Sequence, residues 1–162
     1  MRYFLVAALM AFFSFPWSAA EAATATGSFN VQVTIAATCV VDSATTLDFG
    51  TQGVLAANID QTSAINVTCT DTTPYNIGLD KGLHGASVTT RQMKAAGPAL
   101  INYSLFSDTG RTTNWGNTVG TDTVAATGTG SAQPFTVFGR IPPQPSPLAA
   151  LYTATITITV TF

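Results

Sequence analysis

The last eleven residues read Tyr152-Thr153-Ala154-Thr155-Ile156-Thr157-Ile158-Thr159-Val160-Thr161-Phe162. Tyr152, Ala154, Ile156, Ile158, Val160 and Phe162 share one side of a period of two, and an unbroken threonine row takes the other. Successive side chains of a strand point to opposite faces of its sheet, so this pattern specifies a strand with one buried face. Residues 25–35 repeat it near the other end, with Ala25, Gly27, Phe29, Val31, Val33 and Ile35 set against Thr26, Ser28, Asn30, Gln32 and Thr34. Between them lie further short strands. Residues 45–51 point Leu47 and Phe49 inward, 63–70 point Ile65, Val67 and Cys69, and 74–80, opened by Pro74, point Tyr75, Ile77 and Leu79. Strands also cover 99–106 and 134–141, the latter with Phe135, Val137 and Gly139 on one face. Lys81–Gly85 and Asp108–Arg111 are turns, 117–131 is a low-complexity hairpin or loop, and Pro142, Pro143, Pro145 and Pro147 make a stiff connection with few backbone donors. No helical period longer than two turns occurs, nor any internal repeat. Many short strands with regular turn signals indicate a single all-β domain of sandwich type.

Composition agrees. Of 162 residues only 9% are charged and 46% are hydrophobic, against about a quarter charged in an ordinary soluble domain. Twenty-eight threonines supply the missing polarity, and no glutamate follows Glu21. Threonine is β-branched and favours strands, while Glu and Lys, the usual fillers of exposed helix faces, are scarce. A net charge of −2 with scattered basic residues does not suit a nucleic-acid partner. High hydrophobicity with low charge is the reverse of a disordered chain. A polytopic membrane protein is excluded because no apolar run of about 20 residues exists.

Residues 1–22 have the features of a secretory leader. Arg2 gives the positive start, Phe4 to Phe15 an apolar stretch, Pro16 a break, and Ala20-Glu21-Ala22 a small-x-small cleavage pattern. Export places Cys39 and Cys69, the two cysteines, in an oxidising compartment where they form a structural disulfide. Closing a loop of this size contributes roughly 3–4 kcal/mol in the chain-entropy model. With no CxxC and His84 the single imidazole, the chain has too few ligands for a zinc site.

Catalytic signals are weak throughout. His84 sits in a Gly-flanked turn with no GxSxG to accompany it, the aspartates are dispersed beside Thr, Gly and Ser, and no P-loop, dinucleotide fingerprint or EF-hand loop is present. The reading is a non-enzymatic protein without cofactor or metal. Asn66-Val67-Thr68 and Asn102-Tyr103-Ser104 match the glycosylation pattern, which arises readily by chance in a Thr-rich chain. Trp115 and Tyr103 read as core or sheet-edge aromatics before they read as a sugar platform.

The two ends are the most regular segments, whereas domain ends usually fray. On periodicity alone, both are ordinary strands of one closed sandwich. The alternative is that the N-terminal strand fills a gap in another copy's sheet, supplying ladder hydrogen bonds and side chains together. The order of the short segments bears on the choice through a resemblance. They run Cys39-Val40-Val41, Leu47-Asp48-Phe49-Gly50, Ile65-Asn66-Val67-Thr68-Cys69-Thr70 and Thr73-Pro74-Tyr75-Asn76-Ile77-Gly78-Leu79, then Arg91-Gln92-Met93 and Tyr103-Ser104-Leu105-Phe106-Ser107-Asp108. Arg111-Thr112, Trp115-Gly116, Gly128-Thr129-Gly130-Ser131, Val137-Phe138-Gly139-Arg140-Ile141-Pro142 and Val160-Thr161-Phe162 complete the series. In that order they resemble the spore coat protein U family, which includes subunits of archaic chaperone–usher pili. Two features depart from the family: Ala150-Leu151-Tyr152-Thr153-Ala154 replaces a Gly-x-Tyr-x-Asp stretch, and the preceding loop is unusually Pro-rich.

The resemblance implies an incomplete immunoglobulin-like β-sandwich with one disulfide, completed by donor-strand exchange. Residues 1–22 are then the cleaved leader, 23–36 the donor strand and 37–162 the pilin domain. Ala25, Gly27, Phe29, Val31, Val33 and Ile35 are the inserted side chains. Ala154, Ile156, Ile158, Val160 and Phe162 belong to the strand beside the groove, where a periplasmic chaperone lends a strand until the usher exchanges it for the next subunit. The implied function is a surface pilus subunit, exported through the periplasm, that polymerises head to tail with identical or related pilins in adhesion and biofilm formation. The alternative is a spore-coat component or a fibre-tip module binding carbohydrate or a surface, and the single domain favours a shaft or minor subunit.

Overall fold

The computed structural model describes residues 21–162. The leader expected over 1–22 lies, but for its last two residues, outside the described residues. The chain divides between Thr34 and Ile35 into two units. The first carries no strand among its described residues, and both faces of the 25–34 alternation are exposed, Phe29 at 86%. This corrects the expectation of an ordinary strand with one face already buried at 25–35. Alternation specifies which face can be buried, but a strand also needs a partner edge for its N–H and C=O groups.

The second unit is a two-layer β structure. Its strands are β1 (Cys39–Ala44), β2 (Ile59–Cys69), β3 (Pro74–Leu79), β4 (Arg91–Lys94), β5 (Leu100–Phe106), β6 (Val124–Thr127), β7 (Ala132–Ile141) and β8 (Ile158–Thr161). One sheet has the order β1-β2-β7-β5-β4 and the other β6-β3-β8, with every pairing antiparallel. The long β2–β7 ladder runs from Ile59↔Ile141 to Thr68↔Ala132. It fixes which side chains face the second sheet, because a slip of one residue would invert every face. Ile65, Val67 and Cys69 of β2 are buried, as are Tyr75, Ile77 and Leu79 of β3 and Tyr103 and Leu105 of β5. The disulfide joins Cys39 to Cys69 as expected, across directly paired positions of β1 and β2.

Three strands were not legible as strands. β1 carries Val40 and Val41 in succession, both exposed, with a bulge between Val41 and Ser43, so it has no alternation to read. β4 has four residues and buries Arg91, a residue type that marks a surface in any hydropathy pattern. β6 emerges from the 117–131 stretch, whose Thr, Gly and Ala carry little apolar contrast. The Pro-rich connection is ordered by hydrogen bonds from Gln144 N–H to Leu55 O (3.0 Å) and from Leu55 N–H to Ser146 Oγ (2.8 Å).

The terminal segment departs from one continuous strand. Thr153 bridges Lys94 at the β4 edge of the first sheet, and ladder pairing resumes only at Ile158, on β3 of the second sheet. The segment thus crosses between layers. Asp80 holds the crossing: its Oδ1 accepts from Thr157 N–H at 3.0 Å, and its own N–H donates to Thr157 O at 3.1 Å. Burial still alternates from Tyr152 to Val160, with the Thr row exposed. Phe162 is the correction on this face: it lies one residue past the ladder and is 58% exposed.

Candidate functional site

The crossing leaves a groove of about 550 Å³ along the second unit. One wall is Ala44–Phe49, where the chain leaves β1, and the other is Leu151–Ile156 with Ile158, where it approaches and enters β8. The floor is apolar and comes from both sheets, with Ile65, Leu79, Met93, Tyr103, Leu105 and Val137 reaching it. Residues 45–49 form no ladder, against the expectation of a short strand. Their inward pattern is nonetheless as read, with Leu47 half-buried and Phe49 buried. Both pack on Gly139, where a Cβ would meet Leu47 Cδ1 at 2.6 Å and Phe49 Cζ at 3.0 Å. Only glycine lets this wall lie so close to β7.

Neither wall is hydrogen-bonded across the groove. β1 and β8 are edge strands of their sheets. Among the described residues, Thr46–Phe49 and Ala154–Ile156 enter no backbone–backbone hydrogen bond. Apolar side chains half open to water, beside backbone groups without main-chain partners on two edges, make a strand-shaped opening. Its chemistry suits an extended peptide with alternating apolar side chains and suits a charged ligand poorly.

Of the groove-edge residues named from sequence, Ala154, Ile156 and Ile158 line the groove. Val160 packs half-buried on the core, and Phe162 faces solvent. Of the donor-strand residues, Phe29, Val31 and Val33 are more than 80% exposed, Ile35 is exposed, and so are Ala25 and Gly27. The opposite wall at 44–49 and the floor residues Met93, Leu105 and Val137 were not named as site residues. Leu47 and Phe49 flanking Asp48 were the available signal, since an apolar pair in a segment too short for a sheet strand suits a wall.

Two polar groups lie beneath the apolar surface. Arg91 is fully buried, and its guanidinium donates to the main-chain oxygens of Asp80 (2.8 Å), Val88 (2.7 Å), Leu79 (2.8 Å) and Trp115 (2.7 Å). Burial lowers its pKa, while Tyr103, Asp80 and Asp122 act in the other direction. Tyr103 lies on the floor with its hydroxyl buried and without a protein partner among the described residues. Burial pushes its pKa up to about 12 against the opposing effect of Arg91. Trp115 is a core residue whose Nε1–H donates to Ile77 O at 2.8 Å, and His84 is exposed on its turn.

A family described as Spore Coat Protein U domain matches residues 25–159. Protein U of Myxococcus xanthus is 33% identical over 161 residues, covering 90% of this chain and 89% of that protein. Among solved structures, the chain is similar to one in the crystal structure of the CsuC–CsuE chaperone–tip adhesion subunit pre-assembly complex from archaic chaperone–usher Csu pili of Acinetobacter baumannii. That match has a TM-score of 0.55 at 22% identity and covers 80% of this chain. The present chain spans 40% of the solved one, and the likeness is one of fold: an all-β, immunoglobulin-like sandwich.

Proposed function

The chain belongs to the Spore Coat Protein U domain family, and from that premise we propose that it is a non-enzymatic structural subunit of a surface pilus, polymerising by donor-strand exchange. The observation that carries this is a match within one chain. The second unit has an apolar groove with two unpaired edges, and residues 25–35 form an exposed segment with the alternation such a groove accepts. Burying Phe29, Val31, Val33 and Ile35 would contribute roughly 1.5–3 kcal/mol each, enough to offset the cost of ordering a short peptide on association. The ladder bonds give main-chain partners to both walls, and the polar side of the segment, Thr26, Ser28, Asn30, Gln32 and Thr34, stays in water. Passing the segment from each copy to the next makes a contact that does not close, and so a filament.

On this reading the partners are copies of this or a related chain, a periplasmic chaperone that covers the groove before assembly, and an outer-membrane usher. The destination is the cell surface, with attachment and biofilm formation as the roles served. The test is secretion of the full chain and of a chain lacking 24–35, with a tag at the C-terminus and the chaperone present. The full chain is expected to form long fibres and the shortened chain to remain bound to the chaperone as a 1:1 complex. Fibres from the shortened chain, or a full chain that is a stable monomer without chaperone, would overturn the proposal.

A further inference from the structure

We propose that neighbouring subunits also meet end to end, the apolar loop tip of one copy seating in the concavity beside the disulfide of the next. This rests on the donor-strand reading above and adds a second interface to it. One end of the sandwich gathers the start of β1, the Cys39–Cys69 bond, the 70–73 turn, the start of β7 and the end of β8, as the pairs Cys39↔Cys69, Thr68↔Ala132 and Asn76↔Thr161 require. The other end gathers loops 50–58 and 142–152 around Ile59↔Ile141. Those loops are tied by the Gln144–Leu55 and Leu55–Ser146 hydrogen bonds and by Tyr152 Oη–H donating to Leu148 O at 2.8 Å. On this hydrogen-bonded, Pro-rich support stand Val54 and Leu148, 82% and 78% exposed, with Leu151 also exposed at the mouth of the groove. Singly exposed apolar residues are ordinary on a protein surface, but the hydrogen bonds between these two loops hold Val54 and Leu148 out on one tip.

The geometry of a repeating filament selects the occupant. Residues 23–36 join the sandwich at its disulfide end, through Ala36-Ala37-Thr38. Three residues reach at most about 10 Å, so a copy whose segment lies in a neighbour's groove has its disulfide end at that groove's mouth. Each copy needs its own disulfide end for its outgoing segment, so the incoming root must enter at the other mouth, beside Leu151. The inserted segment then runs antiparallel to residues 152–161. The disulfide end of one copy is thereby pressed against the loop end of the next. At the disulfide end, a concavity of about 610 Å³ lies between Ile35–Thr38, Val40 and the 68–73 stretch. Val40 is itself 55% exposed there, and no charged side chain but Asp71 lines the concavity. With Ile35 drawn into the neighbour's groove, the recess keeps Ala36, Ala37, Val40 and the methyl groups of its threonines, with Asp71 its one charged lining residue, and it faces a tip that is uncharged.

The test uses fibres of the full chain carrying Val40→Cys and Leu148→Cys together, treated with a bis-maleimide spanning about the 10 Å of the tether. The expected result is a ladder of covalent oligomers that neither single variant gives. A Val54→Asp/Leu148→Asp chain is expected to assemble through residues 24–35 still, while its fibres dissociate in denaturant about tenfold faster or more, from the loss of two buried apolar side chains. Fibres that need 24–35 but neither cross-link nor lose stability would overturn the end contact and leave donor-strand exchange standing. Fibres indifferent to deletion of 24–35, or no fibres at all, would remove both. If the double-aspartate chain does not fold, the cross-linking result decides alone.

Discussion

Arg91 shows how a residue can be central to the fold and invisible in a pattern. Its guanidinium binds four carbonyl oxygens, from Leu79 at the end of β3 and from Asp80, Val88 and Trp115, the last three outside any strand. A hydropathy reading places arginine outside, because it registers the cost of burying charge and not the carbonyls waiting for five donors. Tyr103 has the opposite fault: the sequence correctly placed it in the core, yet its hydroxyl is left without a protein partner under the groove. An unsatisfied buried hydroxyl costs about 1–3 kcal/mol. Tyr103→Phe is therefore expected to raise the stability of the subunit by about 1 kcal/mol, read as a higher urea midpoint at pH 7. The phenol adds a pH signature. Its folded pKa, about 12, lies above the ordinary 10.0, so the folded state holds the proton more tightly. That contribution is fully present below pH 10 and is lost as pH rises from 10 towards 12. The variant should decline less steeply than the parent over that window, and an unchanged alkaline slope would show that Tyr103 is solvated.

Elements were legible where one face is buried and hidden where a strand sits at an edge or changes sheet. The alternation of 63–70, 74–80, 99–106 and 134–141 falls on β2, β3, β5 and β7, which carry most of the core. Residues 152–162 kept their alternation but not their continuity, because the period records facing and is silent about which sheet supplies the hydrogen bonds. The change of sheet depends on Asp80, an aspartate that reads from sequence as an ordinary turn residue. Its carboxylate is partly buried, which raises its pKa, but hydrogen bonds from Thr157 and Gly82 and the nearby Arg91 outweigh this, and the pKa is lowered from 3.8. A depressed carboxyl stabilises the fold above its unfolded pKa and loses that contribution as pH falls through the folded value. Asp80→Ala is expected to cost about 2 kcal/mol at pH 7, since two hydrogen bonds to a charged acceptor go with it. The cost should shrink below pH 4, where the parent loses the same interaction. Amide exchange should quicken first at Thr157–Thr161; a uniform rise across β2 and β7 instead would mean that Asp80 does not anchor this segment.

At the scale of the molecule, the low charge takes on a meaning under the proposed function. Under that proposal, a subunit that gives one segment and receives another needs threonine rows for water and apolar faces for copies of itself, and 9% charged residues are compatible with that. The groove was scarcely legible from residues alone, because two unpaired edges leave no pattern beyond the apolar pair Leu47 and Phe49; the alternation at 25–35, which the proposed function sets into such a groove, is written plainly in the chain. Under the proposed function donor and acceptor are separable, and that separation can be tested directly. A chain lacking 24–35 keeps the groove and can only receive. A chain with Ile156→Arg keeps the segment but sets a guanidinium in the groove wall, where desolvation costs several kcal/mol, and can only donate. Each alone is expected to stay monomeric after oxidative refolding. Mixed in equal amounts, they should form a 1:1 pair and stop, since the donor's groove is blocked and the receiver has no segment to pass on. Light scattering after size exclusion distinguishes the outcomes. A dimer supports one segment and one groove per copy; two unmixed monomers would mean that 24–35 does not act between copies, and long polymers would mean that assembly uses surfaces other than these.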